Sequence, residues 1–215
     1  MKQTRRAYLA ATGAVAVGTT GLAGCLGGSP ASETSHSCEL TERDPVDELS
    51  QPRLGPSDAD VTVAVFEDFA CPHCADFATG PFSELKTDFA DDESVAFVHY
   101  DFPIPVSDWS ERVANAARSV QQAAGDEAFF EFSEAAYANQ DDYSWQLVGD
   151  LADDVGVDPC RALSDATYDT YESVIQANFD EGQERGVPGT PAVYVDGEQV
   201  ESSYGAITSA IESAR

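Results

Sequence analysis

The stretch VTVAVFEDFACPHCADF, residues 61–77, sets two cysteines, Cys71 and Cys74, with two residues between them at the end of an apolar run. VTVAVFED (61–68) is short, apolar and rich in β-branched residues, which predicts a buried strand. Beyond it, Phe77, Phe82, Leu85 and Phe89 recur close to helical spacing, with a kink expected at Gly80-Pro81. The cysteine pair therefore lies between a buried strand and the first turn of a helix. There the first cysteine meets free backbone N–H groups and the positive end of the helix dipole, and the second faces it one turn further in. This placement lowers the pKa of the first thiol well below about 8.5. Pro72 suits the first helical turn and stiffens it. His73, partly protonated near neutrality, is placed to stabilise a thiolate at Cys71.

A C-x-x-C pair can be a redox dithiol, half of a zinc site or a structural disulfide. A structural zinc site needs four ligands, commonly from two short-spaced pairs. The chain has five cysteines and three histidines, and none forms a second such pair. A purely structural bond within C-x-x-C closes a very small ring and contributes little. The redox reading is the one the spacing favours, and no metal is expected.

The charge is lopsided: 39 acidic residues stand against 11 basic ones. The first 24 residues hold three bases and no acid, so the imbalance belongs to the rest of the chain. Such a surface excludes nucleic acid and anionic lipid as partners, since both need a cationic face. Its self-repulsion destabilises the compact state in dilute buffer and is screened at molar salt. The acids are spread along the chain, as expected of a solvated surface adapted to high salt. No Asp-rich calcium loop with a closing Glu is present.

The N-terminus has the form of an export signal. TRRAYLAATGAVAVGTTGLAGC (4–25) opens on Arg5-Arg6, and its apolar run is too short and glycine-rich for a permanent membrane helix. The arginine pair resembles a twin-arginine signal. LAGC (22–25) resembles a lipobox, which makes Cys25 the expected lipidated first residue of the mature chain. LGGSPASETSHS (26–37) is a flexible tether by composition. The expected location is outside the cytoplasm, held at the membrane by N-terminal lipid, where disulfides persist. Cys38 and Cys160 are then left over. Either they form a structural disulfide pinning the N-terminal segment to the domain, or both are small buried hydrophobes.

The rest of the chain orders as follows. SVAFVHYDFPI (94–104) predicts a second strand stopped by prolines. From about 108 to 184 the pattern is helical, with Ser107 or Asp108 as N-cap and with Phe129, Phe130, Phe132, Tyr137 and Trp145 as the block's own core. TPAVYVDGEQV (190–200) predicts a hairpin turning at Asp196-Gly197, and SYGAITSAIESAR a closing helix. The expected organisation is an export signal over 1–24, a tether and N-terminal segment over 25–54, one α/β domain over 55–107 and 185–215, and a helical insertion over 108–184.

DFACPHC (68–74) after a buried strand, VPGTPAVYVDG (187–197) downstream and the helices between them resemble the DsbA-like thiol–disulfide oxidoreductases of the thioredoxin superfamily, over roughly residues 55–213. The resemblance implies a thioredoxin fold with an inserted helical domain and a redox-active Cys71–Cys74 disulfide. Cys71 would be the nucleophile and Cys74 the resolving thiol, with Pro72 and His73 tuning the pair. It also implies a cis Thr190-Pro191 bond shaping a substrate groove. No cofactor is expected beyond the dithiol. The implied partners are exported cysteine-containing proteins and a membrane or soluble redox partner that recycles the dithiol, with the chain itself a monomer. C-P-H-C implies an oxidase. Thr before the cis proline also occurs in reductases and isomerases, and a non-enzymatic metal-binding C-x-x-C module is the alternative from another class. One departure from the pattern stands out. The buried acid often found six residues before the first cysteine is Val65 here. Glu67 and Asp68 are the nearby candidates for a proton relay to Cys74, unless both are surface acids.

Overall fold

The structure, a computed structural model, describes residues 31, 33–89, 92–104 and 106–215. The expected export signal, Cys25 with its lipid, and the start of the tether lie outside them. Among the described residues no helix is long and apolar enough to cross a membrane.

A five-stranded sheet carries the fold, in the order β1-β3-β2-β4-β5. The strands are β1 (Arg53–Leu54), β2 (Val61–Glu67), β3 (Val95–Asp101), β4 (Ala192–Val195) and β5 (Glu198–Val200). β2 and β3 run parallel, which requires a crossover, here α1 (Pro72–Thr79) and α2 (Pro81–Asp88). The expected kink is a full break: Gly80 separates the two helices, and Pro81 opens α2 where its missing N–H costs nothing. β4 pairs antiparallel with both β2 and β5. The β4–β5 hairpin turns at Asp196 and Gly197, both at positive φ (47° and 86°), as a tight hairpin turn demands. β1 is too short to leave a pattern in the sequence.

Side chains alternate across β2 and so build two cores. Val61, Val63 and Val65 enter the main core, while Ala64 and Phe66 join Phe102, Ala192 and Tyr194 on the other face. α8 (Tyr204–Ala214) packs against β4 and α2. The inserted helices are α3 (Trp109–Ala124), α4 (Asp126–Ala138), α5 (Trp145–Asp154), α6 (Pro159–Thr167) and α7 (Glu172–Glu184). α7, the last of the expected 108–184 block, lies against the sheet. There Gly182 permits close approach, because a Cβ would come within 2.5 Å of the Phe102 ring. Ser107 Oγ accepts the Trp109 N–H at the start of α3, while Asp108 pairs instead with Arg112. The five aromatics expected as the block's own core are buried. Two also reach outward: Phe129 lies 5.0 Å from the His99 ring on β3, and Tyr137 stacks at 4.9 Å on Phe69 of the cysteine loop.

The N-terminal arm runs along the helical block. Cys38 and Cys160 form a disulfide, with Cα atoms 5.2 Å apart. Arg43 pairs with the buried Asp165, and Val46 N–H donates to Thr170 O at 2.8 Å. Further on, His99 N–H donates to Pro52 O as the arm reaches the sheet. The bond closes a loop of 122 residues, for which chain entropy gives a stabilisation of about 5 kcal/mol. We therefore expect Cys38→Ser/Cys160→Ser to lose about that much in denaturant unfolding at constant salt. An unchanged midpoint would show that the non-covalent contacts alone hold the arm.

Candidate active site

Cys71 is the N-cap of α1, with extended backbone dihedrals (φ −80°, ψ 120°), and Pro72 opens the helix. Both cysteines are free thiols and buried: Cys71 is 4% exposed and Cys74 0%. Their chemistry diverges with their surroundings. Cys71 is held down to a pKa of about 5, chiefly because the Cys74 thiol donates to it. Burial opposes this, and the Thr190 side chain and the backbone N–H groups of Cys74 and His73 assist. Cys74 is pushed far up by burial, by its bond to Cys71 and by the charge of Glu67. One sulfur is therefore a thiolate at neutral pH and the other a thiol, the asymmetry that a nucleophile and a resolving group require.

His73 and Pro72 are exposed. It is the backbone N–H of His73 that supports the Cys71 thiolate, and among the described residues its ring makes no hydrogen bond to the sulfur. Thr190-Pro191 is cis, and Cys71 Sγ lies 3.4 Å from Thr190 O. Thr190 Oγ1 is buried, with no oxygen or nitrogen partner among the described residues. Thr190 thus faces the reactive sulfur with both its carbonyl and its hydroxyl.

Neither candidate relay acid is a surface acid: Glu67 is 4% exposed and Asp68 1%. Their roles separate by their partners. Asp68 accepts from Ala70 N–H (2.7 Å), Ile104 N–H (2.7 Å) and Ser110 Oγ (3.0 Å). Burial nonetheless raises its pKa against those bonds. It acts as a strut between the cysteine loop, the β3–α3 connection and α3. Glu67 gives Oε2 to His99 Nδ1 at 3.3 Å, while Oε1 has no partner among the described residues. His99 Nε2 meets Asp101 at 3.2 Å, and Asp101 accepts from Arg118 Nε at 2.7 Å. Burial lowers the pKa of His99, but its bonds to Asp101 and Glu67 outweigh that and raise it.

Two residues of the helical block, not legible in the sequence, make three hydrogen bonds to the cysteine loop. Gln140 Nε2 donates to Phe69 O (2.8 Å) and Cys71 O (2.9 Å), and Tyr143 OH donates to Phe69 O (3.1 Å). Gln140 lies in the acidic segment NQDDY, where composition points only to a solvated surface. Among the described residues no group of three or more His, Cys, Asp or Glu side chains is placed to hold a metal ion.

The family model described as Thioredoxin matches residues 47–213. This chain belongs to the thioredoxin family. Within that family it is similar to disulfide bond formation protein D of Bacillus subtilis (strain 168), 29% identical over 172 residues, covering 75% of this chain and 76% of that protein. It is also similar to the oxidised crystal structure of BdbD from Bacillus subtilis, with a TM-score of 0.70 and 28% identity, covering 80% of this chain and 98% of that one. DsbA from Chlamydia trachomatis shares the fold, with a TM-score of 0.69 and 17% identity, covering 80% of this chain and 96% of that one. A Na(+)/H(+) antiporter NhaA 1 of Mycobacterium sp. (strain KMS) is 29% identical over 181 residues, covering 82% of this chain; this chain spans 28% of the antiporter's length. The fold is thus a DsbA-like thioredoxin fold with a helical insertion.

Two pH dependences follow for this family member. Alkylation of Cys71 should plateau above about pH 6 and fall away through pH 5, with Cys74 unreactive in the folded protein; mass spectrometry after iodoacetamide reads both. A Cys71 that titrates near 8.5 would remove the asymmetry. The raised pKa of His99 gives stability that is fully present below 6.5 and is lost as pH rises through the higher folded value. The gap in unfolding free energy between wild type and His99→Gln should therefore narrow above pH 6.5; a gap that widens would reverse the assignment.

Proposed function

We propose that this chain is an extracytoplasmic thiol–disulfide oxidoreductase that oxidises cysteine pairs of exported proteins through Cys71 and Cys74. The observation that carries this reading is the Cys71 pKa of about 5 beside a buried, protonated Cys74. A stabilised thiolate makes the reduced form stable and the disulfide a stronger oxidant. The similarity to a disulfide bond formation protein supports the same reading.

In this mechanism a substrate thiolate attacks Cys71 Sγ of the Cys71–Cys74 disulfide. The Cys71–Cys74 bond breaks, and Cys74 leaves as a thiolate that takes up a proton, with Glu67 as the nearby donor. A second substrate thiolate then attacks the substrate sulfur of the mixed disulfide, and Cys71 departs as its stabilised thiolate. The Thr190 backbone beside cis-Pro191 faces the sulfur and would pair with an extended substrate segment. A redox partner must reoxidise the dithiol. The twin-arginine signal, the lipid at Cys25 and adaptation to high salt belong to the same proposal. The last is supported by the burial pattern, since the acids buried among the described residues are Glu67, Asp68, Asp101 and Asp165 and the others face solvent wholly or in part.

A pKa of about 5 falls between the roughly 7 of thioredoxin and the roughly 3.5 of DsbA. We expect the reduction potential, by equilibration with glutathione at high salt, to lie between about −270 and −120 mV. A value at or below about −270 mV would make the chain a reductant. Cys74→Ser should trap a mixed disulfide at Cys71; a variant that lost bound metal and trapped nothing would favour the metal-binding module.

A further inference from the structure

Eight buried side-chain polar atoms have no hydrogen-bond partner among the described residues, and Glu67 Oε1, Ser133 Oγ and Tyr137 OH are three of them. All three line one narrow cleft, with an interior wide enough for about one water. Their residues are 4%, 5% and 3% exposed. A buried carboxylate oxygen and two buried hydroxyls left unpaired would each cost free energy, so three of them converging on one cleft point to a shared occupant that can both donate and accept.

The cleft has an inner and an outer end. α4 contributes Phe130, Ser133, Glu134 and Tyr137, spaced so that they share one helix face. α1 contributes Ala78, one turn beyond Cys74 on the same face of that helix, which sets the inner end beside the resolving thiol. At the outer end Lys86 meets Glu134 at 2.5 Å, and Ser83 Oγ donates to the same carboxylate. The Glu134 side chain is 44% exposed, so this end opens on solvent.

We infer that this cleft is the proton conduit of Cys74. A water held by Glu67 Oε1, Ser133 Oγ and Tyr137 OH carries protons between Glu67 and solvent at the Lys86–Glu134 mouth. The inference rests on the proposed dithiol chemistry. When Cys74 leaves Cys71 as a thiolate, it takes a proton from Glu67. The Glu67 carboxylate is then refilled from solvent through the water. When Cys74 attacks a mixed disulfide at Cys71, its proton leaves by the same path, and the departing substrate thiolate is protonated in solvent. Burial holds the Tyr137 hydroxyl protonated, so it serves as a donor throughout. Ser133 and Tyr137 are positioning residues, since they act on the water and not on a sulfur.

A conduit changes rates and leaves the dithiol equilibrium alone, which separates it from a structural role. Reduction of the oxidised full chain by glutathione, followed by stopped flow at high salt, measures the step in which Cys74 is protonated. Ser133→Val should slow this step about tenfold while leaving the equilibrium constant with glutathione within about twofold of wild type. Ser133→Thr, or added formate or imidazole as a small proton carrier, should restore the rate. Glu134→Gln with Lys86→Ala, at the exposed mouth, should slow the step without threatening the core. A water within hydrogen-bonding distance of all three atoms in a crystal structure is the matching structural result. A dry cleft, variants that keep the wild-type rate, or a rate and an equilibrium constant that shift by the same factor would each overturn the conduit. If the wild type itself exchanges no thiols, the proposed function falls with it.

Discussion

A guanidinium taken fully out of water must find acceptors for its donors, and the layout of this chain follows that demand at Arg118. The residue is 0% exposed and sits in the middle of α3. Nε donates to Asp101 on β3, Nη1 to Ser50 O of the N-terminal arm and to Gln121 one turn on, and Nη2 to Asn178 of α7. Sheet, arm and two inserted helices thus meet at one cation. Breaking such a set strands a buried charge, which costs far more than the bonds contribute individually. Arg118 also fixes Asp101, Asp101 fixes His99, and His99 fixes Glu67. The positioning of the acid near the dithiol is therefore inherited from the joint that holds the insertion to the sheet.

The two sulfurs show how little covalent difference is needed to divide two roles. They lie three residues apart on one helix start. One collects donors from the helix end and from its neighbour; the other is enclosed by Phe69, Tyr137 and the main core and lies within reach of a carboxylate. The inserted helices take part directly, since Gln140 and Tyr143 satisfy the carbonyls of the cysteine loop and Tyr137 stacks on Phe69. The insertion thus braces the reactive loop.

What the sequence discloses is what local chemistry dictates. The strand–dithiol–helix unit, the Gly80-Pro81 break and the Asp196-Gly197 hairpin each follow from residues adjacent in the chain. β1 has two residues and exists because Arg53 and Leu54 lie against Val98 and Phe97, a pairing with no local signature. Arg118 looks like any solvated base in an alanine-rich helix, and Glu67 like one more acid among 39. Their burial is decided by partners beyond any local pattern, with Asp101 17 residues from Arg118 and His99 32 residues from Glu67. The departure at Val65 pointed toward a relocated acid, and the strand register pairs Val65 with His99, the residue that holds Glu67 in place.

The staple between arm and insertion also sets a path for force. Any pull applied to the chain ahead of residue 38 meets its first covalent cross-link at the Cys38–Cys160 bond, at the start of α6. The load then passes into helices packed on one another. The short, hydrogen-bonded β1 and the sheet beneath the dithiol are shielded from it. A chain tethered by its N-terminus could be tugged, dragged or reoriented at a surface while the geometry around Cys71 stayed mechanically quiet.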